Sequence, residues 1–123
     1  MTSDSLRLLF IDDGKVEQMA FKHFIRSSNL TCDCTIASSL KEALSWMAKQ
    51  DFDVIVSDYV LPDGVGLDLI RNEKKIPVIL VSGLGDEETE SQAMKMGAFG
   101  YLVKSGGSQH LIQLQEILKK IDA

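Results

Sequence analysis

The chain is built around a short apolar segment, Asp53-Val54-Ile55-Val56-Ser57-Asp58, near the middle of its 123 residues. This segment is a continuous apolar run bounded by polar residues, which is typical of a strand covered on both faces. Strands of that kind occur in parallel sheets that carry helices on both sides. The segment therefore predicts an α/β fold if helices alternate with strands along the rest of the chain.

Short apolar runs and amphipathic stretches do alternate on both sides of this segment. The predicted strands are Arg7–Ile11, Thr31–Ala37, Asp53–Val56, Pro77–Val81 and Tyr101–Val103. The predicted helices are Lys15–Ser28, Ser39 to Ala48, Gly66–Asn72, Asp86–Met96 and Leu111 to Ile121. Strict alternation of five strands and five helices predicts a single doubly wound parallel sheet with right-handed crossovers.

Length and composition set the limits of the interpretation. A chain of 123 residues predicts one domain, here taken as residues 1–123. The net charge of −5 and the lack of a basic block count against a nucleic-acid surface. The apolar runs are too short to span a bilayer, and no secretory signal is visible at the N-terminus. Cys32 and Cys34 are too close for an unstrained disulfide. We therefore expect a cytoplasmic domain that binds neither nucleic acid nor membrane.

Five chemically capable side chains follow four of the predicted strands. In an open α/β sheet, sites form at the carboxyl ends of the strands, near the point where the strand order reverses. The residues placed there are Asp12 and Asp13 after the first strand, Asp58 after the third, Ser82 after the fourth and Lys104 after the fifth. We expect these side chains to converge on one edge of the sheet.

Charge restricts what such a cluster can do. Three carboxylates in close proximity repel one another, and one amine cannot offset them. A divalent cation can, and Mg²⁺ prefers a few carboxylates together with waters and a phosphate oxygen. Lys104 and Ser82 supply donors that suit a phosphoryl group. The cluster therefore predicts a phosphorylated carboxylate, with one of the aspartates as the nucleophile.

Four motifs carry a resemblance that covers the whole chain. They are Leu9-Phe10-Ile11-Asp12-Asp13, the segment from Asp58 through Pro62-Asp63 to Gly66, Val81-Ser82-Gly83, and Gly97-Ala98 leading to Tyr101-Leu102-Val103-Lys104. Together they make the sequence similar to the receiver domain of two-component response regulators, in particular to chemotaxis-type receivers. The resemblance implies a flavodoxin-like (βα)5 fold with strand order 2-1-3-4-5.

The resemblance also implies a role for each site residue. Asp58 is expected to be the phosphoacceptor, modified to a 4-aspartylphosphate. Mg²⁺ is expected to bind Asp13, Asp58 and the backbone carbonyl of Tyr59 directly, and Asp12 mainly through water. Ser82 is expected to hydrogen-bond the phosphoryl oxygen, and Lys104 to pair with Asp58 or its phosphate.

The implied function is a switch that relays a signal and is not a turnover enzyme. The phosphoryl donor would be a histidine kinase or a histidine phosphotransfer protein. Tyr101 resembles the aromatic residue that turns inward when Ser82 moves. The face formed by the fourth helix, the fifth strand and the fifth helix would then change its partner binding, and it could also form a homodimer.

Four positions depart from the receiver pattern. Ser105 stands where the family usually has proline, and Gly14 stands where a third acidic residue is usual. Val60 and Leu84 are apolar at positions where polar side chains can help to place the hydrolytic water. These last two substitutions predict slow self-dephosphorylation.

Two alternatives stay open at this point. A phosphatase of the haloacid-dehalogenase type also uses an aspartate and Mg²⁺, but its nucleophile position, two residues before Asp13, is Ile11 here. A receiver-like interaction module that takes no phosphate is opposed by the intact acidic set, although Ser105 keeps it possible. His110, near the start of the last helix, is expected to have a surface or capping role.

Overall fold

The computed structural model describes residues 5–72, 74–83, 86–104 and 109–122. Its strands are β1 (Leu6–Ile11), β2 (Cys32–Ala37), β3 (Val54–Asp58), β4 (Val60–Leu61), β5 (Gly64–Val65), β6 (Val78–Ser82) and β7 (Gly100–Val103). Its α-helices are α1 (Lys15–Ser27), α2 (Leu40–Lys49), α3 (Glu87–Met96) and α4 (Gln109–Asp122). Among these helices, none is long and apolar enough to cross a membrane.

Five of the strands form one parallel sheet in the order β2-β1-β3-β6-β7. Numbered by their place in the predicted set of five, this order is 2-1-3-4-5, so the predicted flavodoxin-like α/β fold is confirmed. The central strands are apolar along their length because helices cover both faces. The order reverses between β1 and β3, which places a site at their carboxyl ends.

The sheet separates two apolar clusters. One contains Phe21 of α1 and Leu114 of α4, packed on the β1, β3 and β6 side chains that face them. The other contains Met47 of α2 and Ala93 of α3 on the opposite face. Because each helix buries a stripe against a rigid sheet, the strand ends that carry the predicted site residues are held at fixed positions.

The third predicted helix, Gly66–Asn72, is wrong in type and length. A 3₁₀ turn occupies Gly66–Leu69, preceded by the two-residue hairpin of β4 and β5. The side chain of Asn72 donates to the carbonyls of Leu69 and Ile76 and accepts from the Ile76 amide. These bonds turn the chain toward β6 and compete with the backbone bonds that would extend a helix. The chain thus has four described α-helices where five were predicted.

Candidate functional site

The carboxyl edge of the sheet brings the predicted site residues together. Asp58 is the last residue of β3 and lies opposite Val81 of β6. Asp12 follows β1 directly, and its amide donates to the Ala37 carbonyl at 3.0 Å. The amide of Lys104, just after β7, donates to the Ser82 carbonyl at 2.8 Å. The parallel ladder therefore continues up to the site and fixes the backbone of each residue.

Three carboxylates form an acidic cluster at this edge. One oxygen each from Asp12, Asp13 and Asp58 lie within 4.8 Å of one another. Asp12 is buried, Asp58 is half-buried and Asp13 is exposed. The cluster is thus anchored in the protein at Asp12 and open to solvent at Asp13.

Lys104 joins two of these carboxylates. Its Nζ lies 3.3 Å from Oδ2 of Asp12 and 3.4 Å from Oδ2 of Asp58. Burial lowers the pKa of Lys104, but the charges of Asp12 and Asp58 outweigh that effect, so the pKa is raised above its usual value. The ammonium is therefore charged at neutral pH and leaves the cluster with a net negative charge.

Asp12 is the buried carboxylate of the cluster, and its ionised form is disfavoured by that burial. Burial raises its pKa above the ordinary value, although the Gly14 amide and Lys104 oppose the shift. The Gly14 amide donates to Oδ1 of Asp12 at 2.9 Å. Gln18 Nε2 donates to the Asp12 carbonyl at 2.6 Å and so ties α1 to the end of β1. The role of Gln18 could not be predicted from the sequence, because a glutamine in the first turns of a helix carries no distinguishing signal.

The cluster fits a hard divalent cation. Carboxylate and carbonyl oxygens are the ligands that Mg²⁺ takes, and its charge would offset the excess negative charge. The Tyr59 carbonyl, the fourth predicted ligand, accepts the Gly66 amide at 2.8 Å. A carbonyl oxygen has two lone pairs, so that hydrogen bond leaves one acceptor site.

A glycine shapes the backbone beneath the acidic cluster. A Cβ at Gly66 would lie 2.4 Å from the Asp58 carbonyl oxygen and 2.7 Å from Ser57 Oγ. The Ser57 hydroxyl donates to that same carbonyl at 2.9 Å. The chain after Asp58 can return under the site in this way only because residue 66 has no side chain.

Ser82 and Tyr101 lie on the β6 and β7 side of the cluster. Ser82 ends β6 and is 1% exposed. Tyr101 is half-buried in β7, and its ring meets that of Tyr59 edge-on, with 6.4 Å between centroids. The two tyrosines connect the residue after Asp58 to the strand that precedes Lys104.

Two of the four positions that depart from the receiver pattern lie in the described part of the chain. Val60, two residues after Asp58, is 59% exposed. Gly14 is the N-cap of α1 and has no side chain with which to make a capping bond. Ser105 and Leu84 lie outside the described residues.

His110 departs from the expected surface or capping role. Its ring is half-buried, and within the described part of the chain its Nδ1 is enclosed without a hydrogen-bond partner. Burial lowers its pKa below the usual value, and the charge of Lys104 adds to the shift. The sequence gives no signal for this position, because the contact depends on how α4 returns over the sheet.

Comparison with known proteins defines the class. Residues 8–116 match the sequence model of the response regulator receiver domain, and the chain belongs to that family. It is 39% identical over 89 residues to the methanogenesis regulatory protein FilR1 of Methanothrix harundinacea, covering 65% of this chain and 20% of that protein. It is 27% identical over 106 residues to the chemotaxis protein CheY-3 of Vibrio cholerae, covering 81% of each.

Solved structures agree with this assignment. The receiver domain of Francisella response regulator 1452 superposes with a TM-score of 0.77 at 31% identity, covering 94% of this chain and 98% of that one. A Clostridium thermocellum receiver domain gives 0.79 at 28% identity, covering 95% and 94%. The chain spans about a fifth of the length of the first curated relatives, FilR1 and the Pseudomonas aeruginosa regulator PilR.

Proposed function

We propose that this receiver domain accepts a phosphoryl group on Asp58 from a histidine kinase or a histidine phosphotransfer protein. The proposal rests chiefly on one observation, that Asp58 shares a cluster with two further carboxylates and with the ammonium of Lys104. A carboxylate is a nucleophile once its charge and that of the incoming phosphate are offset. Lys104 supplies part of that offset.

Asp13, Asp58 and the Tyr59 carbonyl would hold Mg²⁺, with Asp12 acting mainly through water. The cation would supply Lewis-acid stabilisation of the negative charge on the transferred group. Asp12 and Asp13 come from the same strand end, so one backbone segment presents both. Exposure of Asp13 leaves this side of the site accessible to the donor.

The transfer itself requires little from the protein beyond positioning. An oxygen of Asp58 attacks phosphorus, and the bond from phosphorus to the donor imidazole nitrogen breaks with its electron pair going to that nitrogen. The Lys104 ammonium and the Ser82 hydroxyl would donate to the phosphoryl oxygens as their charge shifts. The product is an aspartyl phosphate, an acyl phosphate that water can hydrolyse.

The donor would approach over α1. Val16 and Met19 are 75% and 70% exposed on this helix, which begins three residues after Asp12. Exposed apolar side chains beside a reactive group favour a protein partner, because such a contact removes them from water. This surface would hold the donor histidine in reach of Asp58.

The signal would leave through α3, β7 and α4. Ser82 and Tyr101 would couple the phosphoryl group to this face, by a local change of charge that shifts a two-state equilibrium. Met94, Phe99 and Val103 are exposed in or between α3 and β7 and could contact an output partner or a second copy. We propose a cytoplasmic switch with self-phosphorylation and self-dephosphorylation chemistry, and no turnover of a separate substrate.

The two alternatives fare differently. For the haloacid-dehalogenase phosphatase, the nucleophile position is Ile11, which is fully buried in β1. That position can supply neither a carboxylate nor access for a substrate. The phosphate-independent interaction module differs from the main proposal in its chemistry, so a phosphorylation assay separates the two.

The test combines a metal titration with phosphorylation. Calorimetric titration with Mg²⁺ is expected to show one site, which Asp13→Asn weakens. Acetyl phosphate with Mg²⁺ is expected to shift the protein on a phosphate-affinity gel. Asp33→Asn, an exposed aspartate on the edge strand, is the matched control and should behave as wild type. Metal binding and phosphotransfer that both fail would favour the interaction module.

A further inference from the structure

A cavity of about 330 Å³ lies beside the acidic cluster, between α1, α4 and the sheet. Its polar lining residues are Asp12, Glu17, Asp58, Lys104 and His110. The remaining wall is mainly apolar and includes Phe10, Val16, Ala20, Phe21, Leu111 and Leu114. Apart from Val16, whose exposed side is part of the proposed donor surface, this apolar wall has no role in the phosphoryl transfer or the switch proposed above.

The polar lining contains one buried atom that lacks a hydrogen-bond partner among the described residues. His110 Nδ1 is enclosed and makes no hydrogen bond within the described part of the chain. A buried polar atom left unpaired is costly, and a ligand that supplies the bond would recover that energy. A neutral imidazole nitrogen is a donor in one tautomer and an acceptor in the other, and a hydroxyl group matches both.

The apolar wall indicates that most of the ligand is apolar. The rings of Phe10 and Phe21 stack with centroids 4.0 Å apart, forming an aromatic side to the cavity. Ligand pockets in proteins begin at about 300 Å³, so this cavity of about 330 Å³ has room for a ring with a short chain. An anionic ligand is disfavoured, because the carboxylates of Asp12, Glu17 and Asp58 outnumber the one ammonium of Lys104, and the apolar wall offers no counter-charge to a cation.

We propose that this cavity binds a small neutral phenol, with its ring and alkyl chain against the apolar wall and its hydroxyl group on Nδ1 of His110. Binding needs no phosphoryl group, so this site is separate in function from phosphoacceptance. It shares Lys104 and Asp58 with the acidic cluster, so an occupant would contact the groups that hold the phosphoryl group.

The test uses para-propylphenol and its hydroxyl-free analogue propylbenzene as probes. Both are titrated into the full chain while the methyl signals of Leu111 and Leu114 are followed by NMR. We expect saturable shifts with both, and affinity for the phenol about fivefold higher, as one added hydrogen bond provides. His110→Phe should remove this preference, whereas His23→Phe, at the exposed histidine of α1, should retain it.

A second pair of variants tests the location. Ala20→Phe places a ring in the cavity from α1 and should weaken binding of both probes at least fivefold. Ala48→Phe makes the same change on the exposed face of α2, outside the cavity, and should leave binding unchanged. The proposal is overturned if no saturable binding occurs, if Ala20→Phe binds like wild type, or if the preference for the phenol survives His110→Phe.

Discussion

At the residue scale, the charge of each site residue depends on the groups that neighbour it. Burial of Asp12 raises its pKa, while Lys104 and the Gly14 amide hold its charge. The types and spacing of Asp12, Asp13, Asp58, Ser82 and Lys104 could be read from the sequence, because a parallel sheet places all its carboxyl ends at one edge. The contacts of Gln18 and His110 could not, because they depend on how helices return over the sheet.

The first prediction concerns the lifetime of the phosphoryl group. Val60, two residues after Asp58, is exposed, and its apolar side chain offers no hydrogen bond to an attacking water. The double change Val60→Asn and Leu84→Glu should shorten the lifetime by roughly an order of magnitude, since one such bond is worth ~1.4 kcal/mol. The measurement is the decay of phosphorylated protein after donor removal. A wild-type lifetime no longer than that of the double variant would contradict the prediction.

The second prediction concerns the backbone beneath Asp58. Gly66→Ala should lower the free energy of unfolding by ~2 kcal/mol, because its Cβ would overlap the Asp58 carbonyl and Ser57 Oγ. Urea denaturation measures the effect. Gly83→Ala is the control, since nothing lies within 4 Å of a Cβ there. Equal stability of the two variants would show that the backbone relaxes without cost.

At the element scale, the sequence predicted a helix correctly where the side chains that define its end bond within that same helix. The predicted start of the second helix at Ser39 is one such case, because the Ser39 side chain accepts the Glu42 amide and caps α2. The prediction of the third helix was wrong because the Asn72 side chain makes hydrogen bonds to Ile76, which comes later in the chain. The carboxylate of Asp63 also accepts the Leu40 and Lys41 amides at the start of α2, 23 and 22 residues away. A local pattern cannot show such a contact.

The third prediction concerns the end of α3. Gly97 caps this helix with φ +108°, and its amide donates to the Ala93 and Met94 carbonyls. Gly97→Ala should destabilise the protein by about 1 kcal/mol because of the left-handed conformation, not from a clash. Gly97→Asn should cost less, since asparagine tolerates that region. Thermal unfolding compares the two, and an alanine variant at least as stable as the asparagine variant would refute this account of the cap.

At the scale of the whole molecule, an ion pair between neighbouring parts of the sheet makes the stability of the fold depend on pH. The guanidinium of Arg7, the second residue of β1, binds Asp53, the residue just before β3, with 2.9 Å between Nη2 and Oδ1. Hydrogen bonding by Arg7 lowers the pKa of Asp53 below its ordinary value, although burial opposes the shift. The stabilisation is thus present above the ordinary pKa of an aspartate and is lost as the pH falls through the lowered value.

The fourth prediction follows from that sign. At neutral pH, wild type should be more stable than Arg7→Met, and the difference should disappear on acidification through the lowered pKa of Asp53. Chemical denaturation at a series of pH values measures the difference, with Asp53→Asn as the partner variant in a double-mutant cycle. The pair is partly exposed, so salt should reduce its effect. A difference independent of pH would assign the role of Arg7 to packing alone.

The central claim is that Asp58 takes up a phosphoryl group. The most direct measurement is an intact-mass spectrum after incubation with Mg²⁺ and acetyl phosphate, followed by borohydride reduction and peptide mapping. The account predicts a phosphoryl-sized adduct that maps to Asp58 and is absent without metal and in Asp58→Asn. An adduct that persists in Asp58→Asn, or no adduct at all when Mg²⁺ binding is demonstrated and a histidine phosphodonor is also supplied, would contradict it.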